Sequence, residues 1–148
     1  MTTPVGGPRS EGGGARGERL RFREFEFQRL ASGRCRAKVV LSWADGRQFT
    51  GESEGIISQA GELRCGAAAA VRALERAVEP QMGFDLLGVK AVRAFDATVV
   101  IVSLAARQQD RTSALVGAYL TETDAPRGAA LAVLNATNRI LGNFFATR

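Results

Sequence analysis

Gly66-Ala67-Ala68-Ala69-Ala70-Val71-Arg72-Ala73 and Gly128-Ala129-Ala130-Leu131-Ala132-Val133-Leu134-Asn135-Ala136 are two copies of one small-residue pattern, 62 residues apart. Working outward, each copy is preceded by a glycine, Gly51 or Gly117, and before that by an apolar run, Val39-Val40-Leu41 or Val99-Val100-Ile101. The runs align at an offset of 60 residues and the glycines at 66. A drifting offset means that loops differ in length between matched elements. Neither half is long enough to bury much core alone, so the two units should share one.

Each unit reads as three strands and a helix. Residues 20–27 alternate polar and apolar, but the apolar positions change parity between Phe22 and Phe25, which predicts a β-bulge or a strand covered on both faces. A second strand is expected over 34–43. Asp45-Gly46 is a hairpin signal, since both residues tolerate a tight turn. A third strand is expected over 48–53, then a loop over 54–61, then a helix over about 62–79 closed by Pro80. In the second unit, Leu87, Val89 and Ala91 alternate as a strand and Asp96 marks a turn. Residues 98–105 form a nearly continuous apolar run, as in the interior of a covered sheet. Residues 113–121 make the sixth strand. Asp124 is a helix-cap candidate, with Pro126 in the first turn of a helix that runs to about Leu141.

The fold class is therefore α+β. It is a duplicated β-β-β-α chain with pseudo-two-fold symmetry, each antiparallel three-stranded sheet packed on one helix. Residues 1–18, rich in Gly, Pro, Arg and Ser, are expected to be a disordered tail. Residues 19–148 form a single domain, with unit one over about 20–80 and unit two over about 85–142. The small residues of both helices permit tight packing within the chain, or a helix pair at a dimer interface.

The composition excludes several chemistries. The 148 residues contain no histidine, which removes the commonest general base and metal ligand. No carboxylate or lysine constellation stands out, so neither catalytic residues nor a metal site or cofactor is expected. Cys35 and Cys65 are not arranged as a CxxC pair and read as reduced thiols of a cytoplasmic protein. No apolar run approaches the ~18 residues of a membrane span, and the first residues lack the apolar core of a signal peptide. Residues 9–38 hold nine basic side chains against four acidic ones, a surplus equal to the formal charge of +5 of the whole chain. Such an arm suits nucleic-acid phosphates or an acidic partner, or is a solvated edge. No aromatic RNA-binding run or GxxG clamp accompanies it.

The run from Asp124 to Arg139 resembles the last helix of the C-terminal regulatory domain of 2-isopropylmalate synthase and citramalate synthase. In that family an Asp after the last strand is followed by small residues four and five places on, then by Ala, Ala and an Asn-Arg or Asn-Lys pair. Asp124, Gly128, Ala129, Ala132, Ala136, Asn138 and Arg139 stand at those offsets. The resemblance covers residues 20–142. It departs in the first unit, where Ile56 to Arg64 replace the family's Gly-Pro and Asp-Ala segment with a longer loop. No catalytic barrel fits in 148 residues, and the family's metal-binding histidines are absent.

The resemblance implies a non-catalytic domain that forms a homodimer and senses a small amino-acid effector, leucine or isoleucine. The positions implied for ligand contact are Gly51, Ser53 and Gly55 in one unit and Gly117, Thr123, Asp124, Gly128 and Ala129 in the other. A helix N-terminus offers free N–H groups to a carboxylate, and small residues leave room for a branched side chain. Two other readings stay open. One is nucleic-acid binding through the Arg-rich N-terminal segment. The other is a structural partner that regulates a separate catalytic subunit in trans. For Asn135, Asn138 and Arg139, a dimer seam and a solvated helix edge are equally open.

Overall fold

The computed structural model describes residues 20–146, so the tail expected over 1–18 lies outside the described residues. The chain runs β1 (Arg21–Leu30), β2 (Arg34–Ser42), β3 (Gln48–Ile56), α1 (Gln59–Val78), β4 (Met82–Ala94), β5 (Ala97–Gln108), β6 (Arg111–Thr121) and α2 (Ala125–Ala146). The strands form two antiparallel three-stranded sheets, ordered β1-β2-β3 and β4-β5-β6. This is the expected α+β duplication of β-β-β-α units. Each helix packs on its own sheet, the two helices pack on each other, and α1 also lies against β4. One apolar core runs through both units, from Val39 and Leu41 through Leu74 to Val102 and Val133.

The parity change in the first strand is a bulge between Phe22 and Glu24. It does what the burial demands. Phe22, Phe25 and Phe27 pair with Leu41, Val39 and Ala37, all of which point into the core. Without the extra residue, Phe22 would turn to solvent.

The structure shifts the alignment of the two units. Gly51 pairs with Val39, and Gly117 pairs with Val102. Val39 therefore corresponds to Val102, three residues beyond the Val99 that the apolar runs suggest. The reason is that β5 is apolar on both faces, so Val99-Val100-Ile101 carries no mark of which residues point inward. Val100, Val102, Leu104 and Ala106 are buried, while Val99 and Ile101 lie on the opposite, half-buried face.

The expected loop over 54–61 is also corrected. β3 continues to Ile56 and α1 begins at Gln59, which leaves a two-residue link. Ser58 caps the helix, its Oγ accepting from the Gly61 N–H at 2.9 Å. Glu62 follows in the first turn, where a carboxylate suits the positive helix end. Gly61 reads as a helix breaker but serves close approach: a Cβ there would collide with the Ile56 carbonyl.

Two further expectations change. Leu87 does not share a face with Val89 and Ala91. A bulge between Leu86 and Gly88 turns it out to 59% exposure, while Val89 and Ala91 pack on the core. Among the described residues, the sheet of β5 is covered on one face only, by α2 with α1 against β4, although its run of apolar residues reads as buried on both. The outer face of the first sheet is of the usual solvated kind. There Arg36 pairs with Glu54 at 2.8 Å and Lys38 with Glu24 at 3.8 Å.

The small residues of the helices are used within the chain. Gly66 of α1 is so close to α2 that a Cβ would strike the Pro126 carbonyl. Asn135 of α2 donates from Nδ2 to the Ala118 carbonyl of β6 at 2.8 Å, which ties it to its own unit, while Asn138 and Arg139 are exposed.

Candidate functional site

An open cleft of about 710 Å³ lies where the two units meet, between the end of β3, one stripe of α1 and the start of β4. The α1 stripe runs Gly61, Arg64, Cys65, Ala68, Val71, Arg72 and Glu75. Its spacing of three and four residues places these side chains on one face of the helix. Ser53, Gly55 and Ile56 form one wall, and Phe84, Asp85 and Leu86 the other. The buried Cys65, Val71 and Phe84 give the cleft an apolar floor.

Charged groups rim that floor. Arg64 Nη2 donates to the Leu86 carbonyl at 3.0 Å, which anchors the guanidinium across the gap between α1 and β4. Arg72 Nη1 donates to the Glu52 carbonyl. A guanidinium carries five N–H groups, so each arginine has donors left to turn toward a ligand. The carboxylates are more fully engaged. Glu75 Oε2 accepts from the Phe84 N–H at 2.8 Å, and Asp85 accepts from Arg107 Nε at 2.8 Å. Glu54, a third carboxylate of the lining, is held by Arg34 and Arg36, so the hydrogen-bond donors left over in the cleft are those of Arg64 and Arg72.

Cys65 is a structural thiol. Its Sγ donates to the Ser53 carbonyl at 3.3 Å. Burial, and then the neighbouring Cys35, push its pKa up to about 11. It stays protonated and is a poor nucleophile. Among the described residues, no group of three or more His, Cys, Asp or Glu side chains is placed to hold a metal ion.

The positions inferred from the sequence fall in two environments. Ser53 and Gly55 line the cleft. Gly51 and Gly117 lie beneath α1 and α2, where a Cβ would strike the Ala69 and Ala132 carbonyls. Gly128 packs on Thr121 and Val100, and Ala129 is fully buried. Asp124 caps α2, its Oδ1 accepting from the Arg127 N–H at 3.1 Å, and Thr123 is exposed beside it. The second-unit positions therefore gather at the packing and capping of α2. Arg64, Arg72, Phe84 and Leu86 escaped the sequence reading. The helical spacing of Arg64, Ala68, Val71 and Arg72 was the available signal, but nothing local says that β4 lies opposite.

The basic segment is largely ion-paired where it is described. Arg29 reaches Glu62 at 3.0 Å, and Arg34 and Arg36 share Glu54 at 3.4 and 2.8 Å. These contacts raise the pKa of Arg29 and Arg36 and lower that of Glu54. Arg9, Arg16 and Arg19 lie outside the described residues. No helix among the described residues is long and apolar enough to cross a membrane. No protein-family model matches the chain, and no curated protein matches it.

Proposed function

We propose that this chain is a non-catalytic domain that senses a small molecule and pairs with a second copy of itself. The cleft between α1 and β4 carries the reading. Its volume suits a small ligand, its floor is apolar, and Arg64 and Arg72 stand ready for a carboxylate. A branched-chain amino acid combines those two features, and it is the effector that the likeness to the 2-isopropylmalate synthase regulatory domain implies. Ser53 and Gly55, positions implied by that likeness, lie in the same cleft. The dimeric part of the reading rests on the likeness and on the surface described below.

The test is calorimetric titration with leucine, isoleucine and valine, beside thermal melts at millimolar ligand. Binding to the native state raises the melting temperature by mass action. Heat and a melting shift are expected for the native chain, and Arg64→Ala should lose both. Absence of heat and of any shift with all three amino acids overturns amino-acid sensing.

A further inference from the structure

We infer that the outer face of the β4-β5-β6 sheet is the surface on which a second copy of this chain docks, sheet against sheet. This deepens the dimeric part of the function proposed above by naming the surface, which shares Asp85 with the lining of the cleft.

The face opposite α2 is apolar where a solvated face should be polar. Val116 is 70% exposed, Leu120 61% and Leu87 59%. Val92 is exposed beside them, and Val99 and Ile101 fill the centre. Contiguous apolar patches of this kind mark interaction surfaces. The matching face of the first sheet carries the ion pairs of Arg36 and Lys38 instead. Two copies of one plan thus differ on the outside, and among the described residues nothing packs on either outer face.

Size and charge identify the occupant. β4 has 13 residues and β5 has 12. At about 3.3 Å per residue and about 4.8 Å between strands, the face is about 40 Å by 15 Å, or about 600 Å². A stable interface takes about 800 Å² from each partner, so one flat face of this kind is nearly enough when met by its own equal. Two sheets stacked face to face at ~10 Å also make the core of a β-sandwich.

The charges on the face can pair across a two-fold axis, with Asp85 shared between Arg107 of its own chain, at 2.8 Å, and an incoming cation. Lys90 lies level with Ile101 and Asp85 level with Ala105, one on each side of the Gly88–Ser103–Val116 row. A two-fold axis across the strands at that row brings each Lys90 to the Asp85 of the other copy, twice per dimer. It also places Val116 against Val116. Lys90 has no ion-pair partner among the described residues. An isologous interface needs this kind of self-complementarity.

Sedimentation of the full chain decides the matter, with Val116→Lys and Val116→Cys as variants. The expected result is a wild-type dimer and a Val116→Lys chain that is monomeric with unchanged circular dichroism. Two like charges meeting in an apolar interface should raise the dimer dissociation constant about a hundredfold or more. Val116→Cys should form a disulfide-linked dimer under oxidised glutathione, and this conservative variant decides the outcome if the lysine variant fails to fold. A wild-type dimer that persists in Val116→Lys, or a Val116→Cys chain that does not cross-link, overturns the surface and leaves dimerisation standing. A wild-type chain monomeric at high concentration overturns both, while the titrations above still decide amino-acid sensing.

Discussion

Gly51 and Gly117 hold the same post in the two units: each lies on the third strand, opposite a buried valine of the middle strand, with the helix backbone pressed onto its Cα. A Cβ on Gly51 would strike Ala69 and Ala73, and one on Gly117 would strike Ala132 and Ala136. Helix and sheet therefore approach through backbone, not through interlocked side chains. Gly51→Ala and Gly117→Ala should each destabilise the fold by about 3 kcal/mol, the upper range for overpacking. Urea unfolding should show a lower midpoint at an unchanged slope. A loss of less than about 1 kcal/mol would mean that the helices can lift away freely.

Gly66 plays a related part between the units. Its Cα faces the Pro126 carbonyl at the crossing of α1 and α2. Gly66→Ala gains helix propensity of about 1 kcal/mol but drives a methyl group into that carbonyl. The net expectation is a lower melting temperature. A raised one would show that the crossing has slack.

Phe95 sits in the turn between β4 and β5 with φ of +59° and its side chain fully exposed. A left-handed backbone costs a non-glycine residue about 1–2 kcal/mol. Phe95→Gly supplies the glycine–aspartate pair that two-residue hairpins favour. The melting temperature should rise by about 3 °C. A fall would mean that the ring is covered in solution.

Glu54 accepts from Arg36 and then Arg34, and both lower its pKa. A carboxyl lowered in the folded state stabilises above its ordinary range, and that contribution disappears as pH falls through the folded value. Glu54→Gln should melt slightly below the wild type at neutral pH, and the two curves should converge in acid. Both groups are exposed, so the difference should be small and should shrink with added salt. A difference that persists in acid would assign the effect to packing.

Cys65, raised to about 11 by burial and then by Cys35, has the opposite sign. Its neutral thiol favours the folded state below the ordinary thiol range, and this support is lost as pH climbs toward the folded value. Iodoacetamide at pH 8 should modify Cys65 only at the rate of unfolding. Alkaline melts should fall less steeply in Cys65→Ala. Fast labelling of the native chain would contradict the burial.

The duplication was legible because helices built on Gly and Ala leave a plain signature, and the bulge at Phe22 was legible because a parity change has few other causes. The phase of β5 was not, because a strand apolar on both faces does not say which one is covered. The start of α1 was hidden by Gly61, whose breaker character conceals its use in a tight β3–α1 link. The candidate site was half visible. Glycine marks close approach of a backbone, but the same signal serves a ligand and a helix. Ser53 and Gly55 reach the cleft, while Gly51 and Gly117 answer to helices. Arg64 meets Leu86 only through the packing of one unit on the other, and no local pattern encodes that.

The cleft has one wall from each half of the chain: α1 belongs to the first, β4 to the second. On the proposed function, a ligand between them would act as a spacer, its bulk bearing on how far the halves lean together. With Gly66 against Pro126 as the fixed point between them, the proposed ligand would have its size converted into an angle between the halves.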